Sequence, residues 1–250
     1  MKKIKDINYG LFNHPQQTLD IYLPEADEFP VFIYFHGGGL ENGDKCGIQG
    51  MGEFLAERNI AFVSCNYRLY PHAIFPEFLR DAAAAVAWIY NNINNYGKAT
   101  GFFVGGSSAG GYISMMLCFD KKYLAPHNID PDNLDGFIHD AGQPTSHFNV
   151  LREQGIDSRR VIVDETAPIY FVKENPNYTN MLFIVSDNDM ENRYEQTVLM
   201  LSTIKHFNGD TPQIKYKLMH GEHCQYVSDT HLKDNEFNKI VYEFITSTLA

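Results

Sequence analysis

Residues 102–112 read FFVGGSSAGGY, and what flanks them decides the fold. The apolar run GFFVG at 101–105 predicts a buried strand, and the stretch from 109 to 118 predicts a helix. Between them lies Gly-x-Ser-x-Gly in the frame Gly106–Ser108–Gly110. A strand that turns sharply into a helix leaves no room for side chains two residues before and after its pivot. Ser107, framed by Gly105 and Ala109, would fit, but only Ser108 has glycine on both sides. Ser108 is therefore the candidate nucleophile. The helix start behind it offers the Ala109 amide to a developing anion, where the helix dipole favours negative charge. A phosphate loop is excluded, because Gly111 is followed by Tyr112 and Ile113 instead of Lys-Ser/Thr. The Gly-x-Gly-x-x-Gly frame of a dinucleotide site is missing too.

Outward from this stretch the chain alternates strand and helix signals. Strands are predicted at 18–24, 31–35, 60–67, 101–105, 135–140, 181–186 and 214–219. Helices are predicted at 76–92, 109–118, 193–206 and 234–248. Such alternation implies parallel strands joined by right-handed crossovers, hence an α/β protein with an open, helix-covered sheet. No repeat, linker or low-complexity run divides it, so residues 1–250 read as a single domain. A hydrophobic fraction of 44% is enough for a sizeable core.

The net charge of −11, with no basic cluster to offset it, argues against nucleic acid or an anionic membrane as partner. No apolar run reaches the roughly 20 residues of a membrane span. The lysines of MKKIKDINYG lead into no apolar stretch, so no secretory signal is expected. Cys46, Cys65, Cys118 and Cys224 form no CxxC pair, which excludes the usual zinc and redox motifs. Cys65 and Cys118 read as core thiols, and the expected address is cytoplasmic.

A second glycine cluster, FHGGGLENGDK at 35–45, directly follows the strand VFIYF. Consecutive glycines carry an entropic cost and belong where backbone must approach something closely. Here that is the oxyanion of a tetrahedral intermediate, bound by the amides of Gly37, Gly38 and Ala109. His36 is expected to anchor this loop by hydrogen bonds and not to act as a base.

Three segments now stand in order: HGGG at 36–39, NYRLYP at 66–71 with FPEFLRDAAAAVAWI at 75–89, and GSSAGG at 106–111. Together they resemble the landmarks of the hormone-sensitive-lipase-like esterases, over about residues 18–247. That resemblance implies the α/β-hydrolase fold, a mostly parallel sheet with helices on both faces, and a structural Arg68. It departs from the family in two places. Ser107 stands where an aspartate usually precedes the nucleophile, and SDNDMENRY at 186–194 replaces an Asp-Pro-Leu-x-Asp segment.

The remaining triad members should follow in the order acid, then histidine. After the strand MLFIVS come Asp187 and Asp189. Related hydrolases place the acid three residues after a small residue at the strand end, and Ser186 to Asp189 has that spacing. Asp189 is preferred to Asp187. After IKYKLM comes HGEHC, and family loops favour His223 over His220 as the base. Cys224 has no elbow and reads as packing. No metal or organic cofactor is expected. His14, His72, His127, His139, His147, His206 and His231, with Trp88 and Asp81, read as structural.

These parts imply a serine hydrolase that forms an acyl-enzyme on small-molecule esters with short acyl groups, acetyl among them. An amide hydrolase, such as an arylformamidase or small peptidase, is the alternative, and a non-catalytic ligand binder is a third. Residues 143–178 are expected to overhang the site as a small lid. Leu40, Phe148, Val150 and Leu151 are the expected substrate-pocket walls. Oligomeric state is left open.

Overall fold

The computed structural model describes residues 1–10, 14–228 and 233–250. The strands are β1 (Lys2–Asn8), β2 (Thr18–Leu23), β3 (Glu28–Phe35), β4 (Ala61–Cys65), β5 (Lys98–Ser107), β6 (Gly136–Asp140), β7 (Asn180–Asn188) and β8 (Ile214–Glu222). They form one sheet in the order β1-β2-β4-β3-β5-β6-β7-β8. The β1/β2 and β2/β4 pairs are antiparallel, and every other pair is parallel.

Both sheet faces are covered. Along β3 the side chains alternate, Val31, Ile33 and Phe35 to one core and Phe32 and Tyr34 to the other. The first core is closed by α2 (Glu77–Asn92), α3 (Ala109–Phe119) and α5 (Arg193–Asn208). The second is closed by α1 (Gln49–Ala56) and α7 (Glu236–Leu249). All eleven residues of α3 are buried, as its apolar sequence requires. Two short helices complete the set of elements used below, α4 (Phe148–Glu153) and α6 (Gln225–Ser228). Among the described residues no helix is long and apolar enough to cross a membrane.

The sequence expectation missed β1 and α1. β1 is a half-exposed edge strand whose lysines mask its alternation, and α1 carries two glycines in eight residues. His231 lies outside the described residues.

One feature of the topology prepares a site. From β3 the chain crosses to β4 on one side, whereas β5 lies on the other. Loops leaving the carboxyl ends of β3 and β5 therefore diverge and open a crevice, the usual ligand position in such sheets.

Candidate active site

Ser108 sits in that crevice between the last residue of β5 and the first of α3, with φ 57° and ψ −115°. A positive φ in a non-glycine residue is strained and is held by its surroundings. The flanking glycines explain how. A Cβ on Gly106 would lie 2.5 Å from the Phe35 carbonyl oxygen, and one on Gly110 would lie 1.9 Å from the same atom. The Ser108 amide donates to the Asp140 carbonyl at 2.8 Å, tying the turn to β6. Ser107 is buried on the last rung of β5, opposite Asp140.

The structure brings Ser108, His223 and Asp189 together. The Ser108 hydroxyl donates to His223 Nε2 at 2.8 Å, and His223 Nδ1 donates to Asp189 Oδ1 at 2.5 Å. A carboxylate only accepts, so the proton sits on Nδ1 and leaves Nε2 free to receive the hydroxyl. The Asp189 carboxylate is fully buried and also accepts from the Met190 amide at 2.7 Å. Ser186 donates its amide to the other oxygen at 3.4 Å, a weak contact across the spacing noted in the sequence.

Asp187 and His220 are not part of this group. They bond each other, His220 Nδ1 to Asp187 Oδ2 at 2.6 Å, as an exposed pair on the same two strand ends. Cys224 Sγ lies 3.6 Å from His223 Nε2. Burial pushes its thiol pKa well up, so it is protonated and a poor nucleophile.

The glycine loop presses against the elbow, with a Cβ built on Gly37 only 3.1 Å from Ser108 Cβ. Gly38 has φ +113°, and a Cβ there would meet the Asn42 carbonyl oxygen at 2.0 Å. Among the described residues, the amides of Gly37, Gly38 and Ala109 donate to no backbone acceptor. The carbonyl of Gly38 accepts from Glu41 and Asn42, which closes the turn. His36 is buried, stacks on Tyr67 at 4.6 Å and bonds the Gly37 carbonyl through Nδ1 at 2.7 Å. Burial holds it below the ordinary imidazole range, so it is neutral at pH 7. Arg68 clamps buried Asp81 through two nitrogens at 2.8 and 2.9 Å. Gln17 donates to the same carboxylate.

A cavity of about 560 Å³ opens over Ser108, walled on its apolar side by Tyr34, Ile48, Phe148, Met190 and Val227. Of the expected walls only Phe148 borders it. Leu40, Val150 and Leu151 are instead buried in the protein interior, at 1% exposure or less. The reason is that α4 is packed down onto the glycine loop. Asn149 donates to the Gly39 carbonyl, Arg152 pairs with Glu41, and Glu153 accepts from the Phe75 amide at 3.1 Å.

Two further residues near the site carried no motif in the sequence. Asp140 ends β6 fully buried, its pKa pushed up to about 7 by burial, with Tyr226 donating to it at 2.5 Å. Arg193 is buried at the start of α5, where it donates to the carbonyl of Ala141 and to Gln143 Oε1. Neither has a sequence signature, because each is defined by burial alone.

A BD-FAE family model matches residues 19–141, a stretch that contains both glycine clusters. Over 120 residues the chain is 32% identical to the probable isoprenylcysteine alpha-carbonyl methylesterase ICMEL2 of Arabidopsis thaliana, covering 47% of this chain and 28% of that protein. Over 126 residues it is 32% identical to esterase LipC of Mycobacterium tuberculosis, covering 47% of this chain and 30% of that one. The matched stretch thus spans less than a third of these curated relatives. Among solved structures, esterase B from Lactobacillus rhamnosis superposes with a TM-score of 0.79 at 19% identity, covering 99% of this chain and 84% of that one. Sheet order and structural superposition agree that the chain has the α/β-hydrolase fold, and over residues 19–141 its sequence is similar to esterases of that fold.

Proposed function

We propose that the protein is a serine esterase that hydrolyses small carboxylic esters through Ser108, His223 and Asp189. The observation that carries this is the unbroken pair of hydrogen bonds from the Ser108 hydroxyl through His223 to Asp189, at 2.8 and 2.5 Å. As Ser108 Oγ attacks the ester carbonyl, His223 Nε2 takes its proton. Asp189 orients the ring and stabilises the imidazolium that forms. The carbonyl oxygen gathers negative charge against the amides of Gly37, Gly38 and Ala109, which among the described residues donate to no backbone partner. His223 then protonates the leaving alcohol, and an acyl-Ser108 ester remains. Water, deprotonated by His223, attacks that ester and releases the acid.

Short acyl groups, acetyl to butyryl, are the proposed substrates. In support, α4 is tied to the glycine loop through Asn149 and Arg152, and of residues 143–178 only Phe148 lines the cavity over Ser108. The four thiols are unpaired, which fits a reducing, cytoplasmic setting.

The test is turnover of p-nitrophenyl acetate and butyrate beside matched anilides, with labelling by an organophosphonate. Ester turnover and labelling are expected in the parent, and loss of both in Ser108→Ala. A parent protein that neither turns over these esters nor takes the label overturns the proposal. Faster cleavage of the anilides moves it to an amide hydrolase.

A further inference from the structure

Phe148 and Met190 line both the cavity over Ser108 and a second cleft of about 310 Å³ beside it. Its lining changes character, with Gln143, Arg159, Arg160, Asn192, Arg193 and Gln196 in place of the apolar wall. Arg193 is the unusual member. It is 3% exposed, its recorded hydrogen bonds go to one carbonyl and one amide oxygen, and among the described residues no carboxylate forms an ion pair with it. Burial draws its pKa down, while the charge of Asp189 supports the ionised form. A guanidinium taken out of water without a paired anion is strongly unfavourable, and removal of the deficit calls for a negative partner.

The surroundings point the same way. Arg160 stands exposed on the rim, and among the described residues no carboxylate pairs with its side chain. Arg159 is already neutralised by Asp157 at 2.6 Å, and Glu191 is the one acidic side chain in the lining. The first turn of α5 opens into the same cleft, and no side chain caps it. The Arg193 amide at that end donates to the Met190 carbonyl at 2.9 Å, and the helix dipole adds positive potential. In a molecule of net charge −11 this is a local exception, and it shares the walls Phe148 and Met190 with the reaction site.

We propose that this cleft is a subsite for a carboxylate carried by the substrate, so that the esters cleaved at Ser108 are esters of acidic molecules. The planar guanidinium fork matches a carboxylate in two hydrogen bonds, which gives selection by charge and by distance from the ester. The proposal rests on the serine-esterase reading and adds to it the class of substrate. It requires no chemical step beyond hydrolysis.

Two pairs of esters separate the two places where the carboxylate could sit. Meta-acetoxybenzoate against phenyl acetate puts it on the alcohol. The p-nitrophenyl monoester of glutaric acid against p-nitrophenyl valerate puts it on the acyl group. In at least one pair kcat/KM should favour the acidic ester by about tenfold, the scale of a charge-assisted hydrogen bond. That ratio should shrink severalfold in Arg160→Gln and in high salt. Arg193 braces Ala141 and Gln143, so Arg160 is the residue to change. A parent that favours the neutral ester in both pairs, or a ratio indifferent to Arg160→Gln, overturns the proposal while neutral-ester turnover leaves the esterase standing. Calorimetric binding of meta-acetoxybenzoate and of the glutarate monoester to Ser108→Ala decides the matter without turnover. Binding of at least one that weakens about tenfold in Ser108→Ala/Arg160→Gln supports the subsite, and equal binding, or none by either ester, overturns it.

Discussion

Asp187 and Asp189 are two residues apart and have the same side chain, yet only one reaches His223. What separates them is burial. The Asp189 carboxylate is enclosed, whereas Asp187 faces solvent with exposed His220. In Asp189→Asn the amide would favour the wrong histidine tautomer, and kcat should fall by about 10⁴, as in the serine protease triad. Asp187→Asn breaks an exposed, solvent-screened pair and should leave kcat within about threefold. Reversed losses in steady-state kinetics would transfer the acid role to Asp187. Asp140 supports a different prediction. Its folded pKa of about 7 stands above the roughly 3.9 of an unfolded aspartate. Between those values the folded protein holds a proton that the unfolded chain has released, so stability falls as pH rises through that window. Asp140→Asn keeps an acceptor for Tyr226 and removes the ionisation. It should match the parent's Tm near pH 4 and exceed it near pH 8, by on the order of 1–4 kcal/mol in stability. Equal Tm values at both pH values would show that Asp140 ionises freely in the fold.

At the scale of elements, the elbow is specified by what cannot fit. A methyl at position 110 would meet the end of β3 at 1.9 Å, so Gly110→Ala must push β3 and α3 apart. Overpacking of this kind costs roughly 1–3 kcal/mol, and here the upper end is expected. Denaturant unfolding of the variant checks it, and an unchanged midpoint would refute the steric account. The same logic explains what was legible in the sequence. Strands β2 to β8 were visible because burial on one or both faces leaves apolar runs or clean alternation. Glycine clusters at 37–39 and 105–111 were visible because close backbone approach excludes every other residue. β1 was hidden by lysines on an edge, and α1 by the glycine that lets it lie against the Tyr22 ring. The pocket walls were misread for a related reason. Val150 and Leu151 are apolar and near the site in sequence, but a helix clamped by Asn149 and Arg152 turns them inward. Apolar character alone does not say which of two apolar environments a side chain joins.

For the whole molecule, the tie between α4 and the glycine loop bears on substrate size. Each added methylene gains roughly 0.8 kcal/mol only where an apolar wall meets it. Along p-nitrophenyl esters of two to twelve carbons, kcat/KM should peak between acetyl and butyryl and fall beyond about six. A maximum at eight or longer would mean that the 560 Å³ cavity is filled by the acyl chain and not shared with the alcohol. The bond between Ser108 and His223 also spans 115 residues of chain, and the elbow hangs from β5 while the histidine follows β8. Between those strands lie two more, each aligned by its neighbour's register. A contact of such long range is won late, after the entropy of closing the intervening chain has been offset. Recovery of catalysis after dilution from denaturant therefore marks completion of the β5-to-β8 half of the sheet, and it should lag the return of helical circular dichroism.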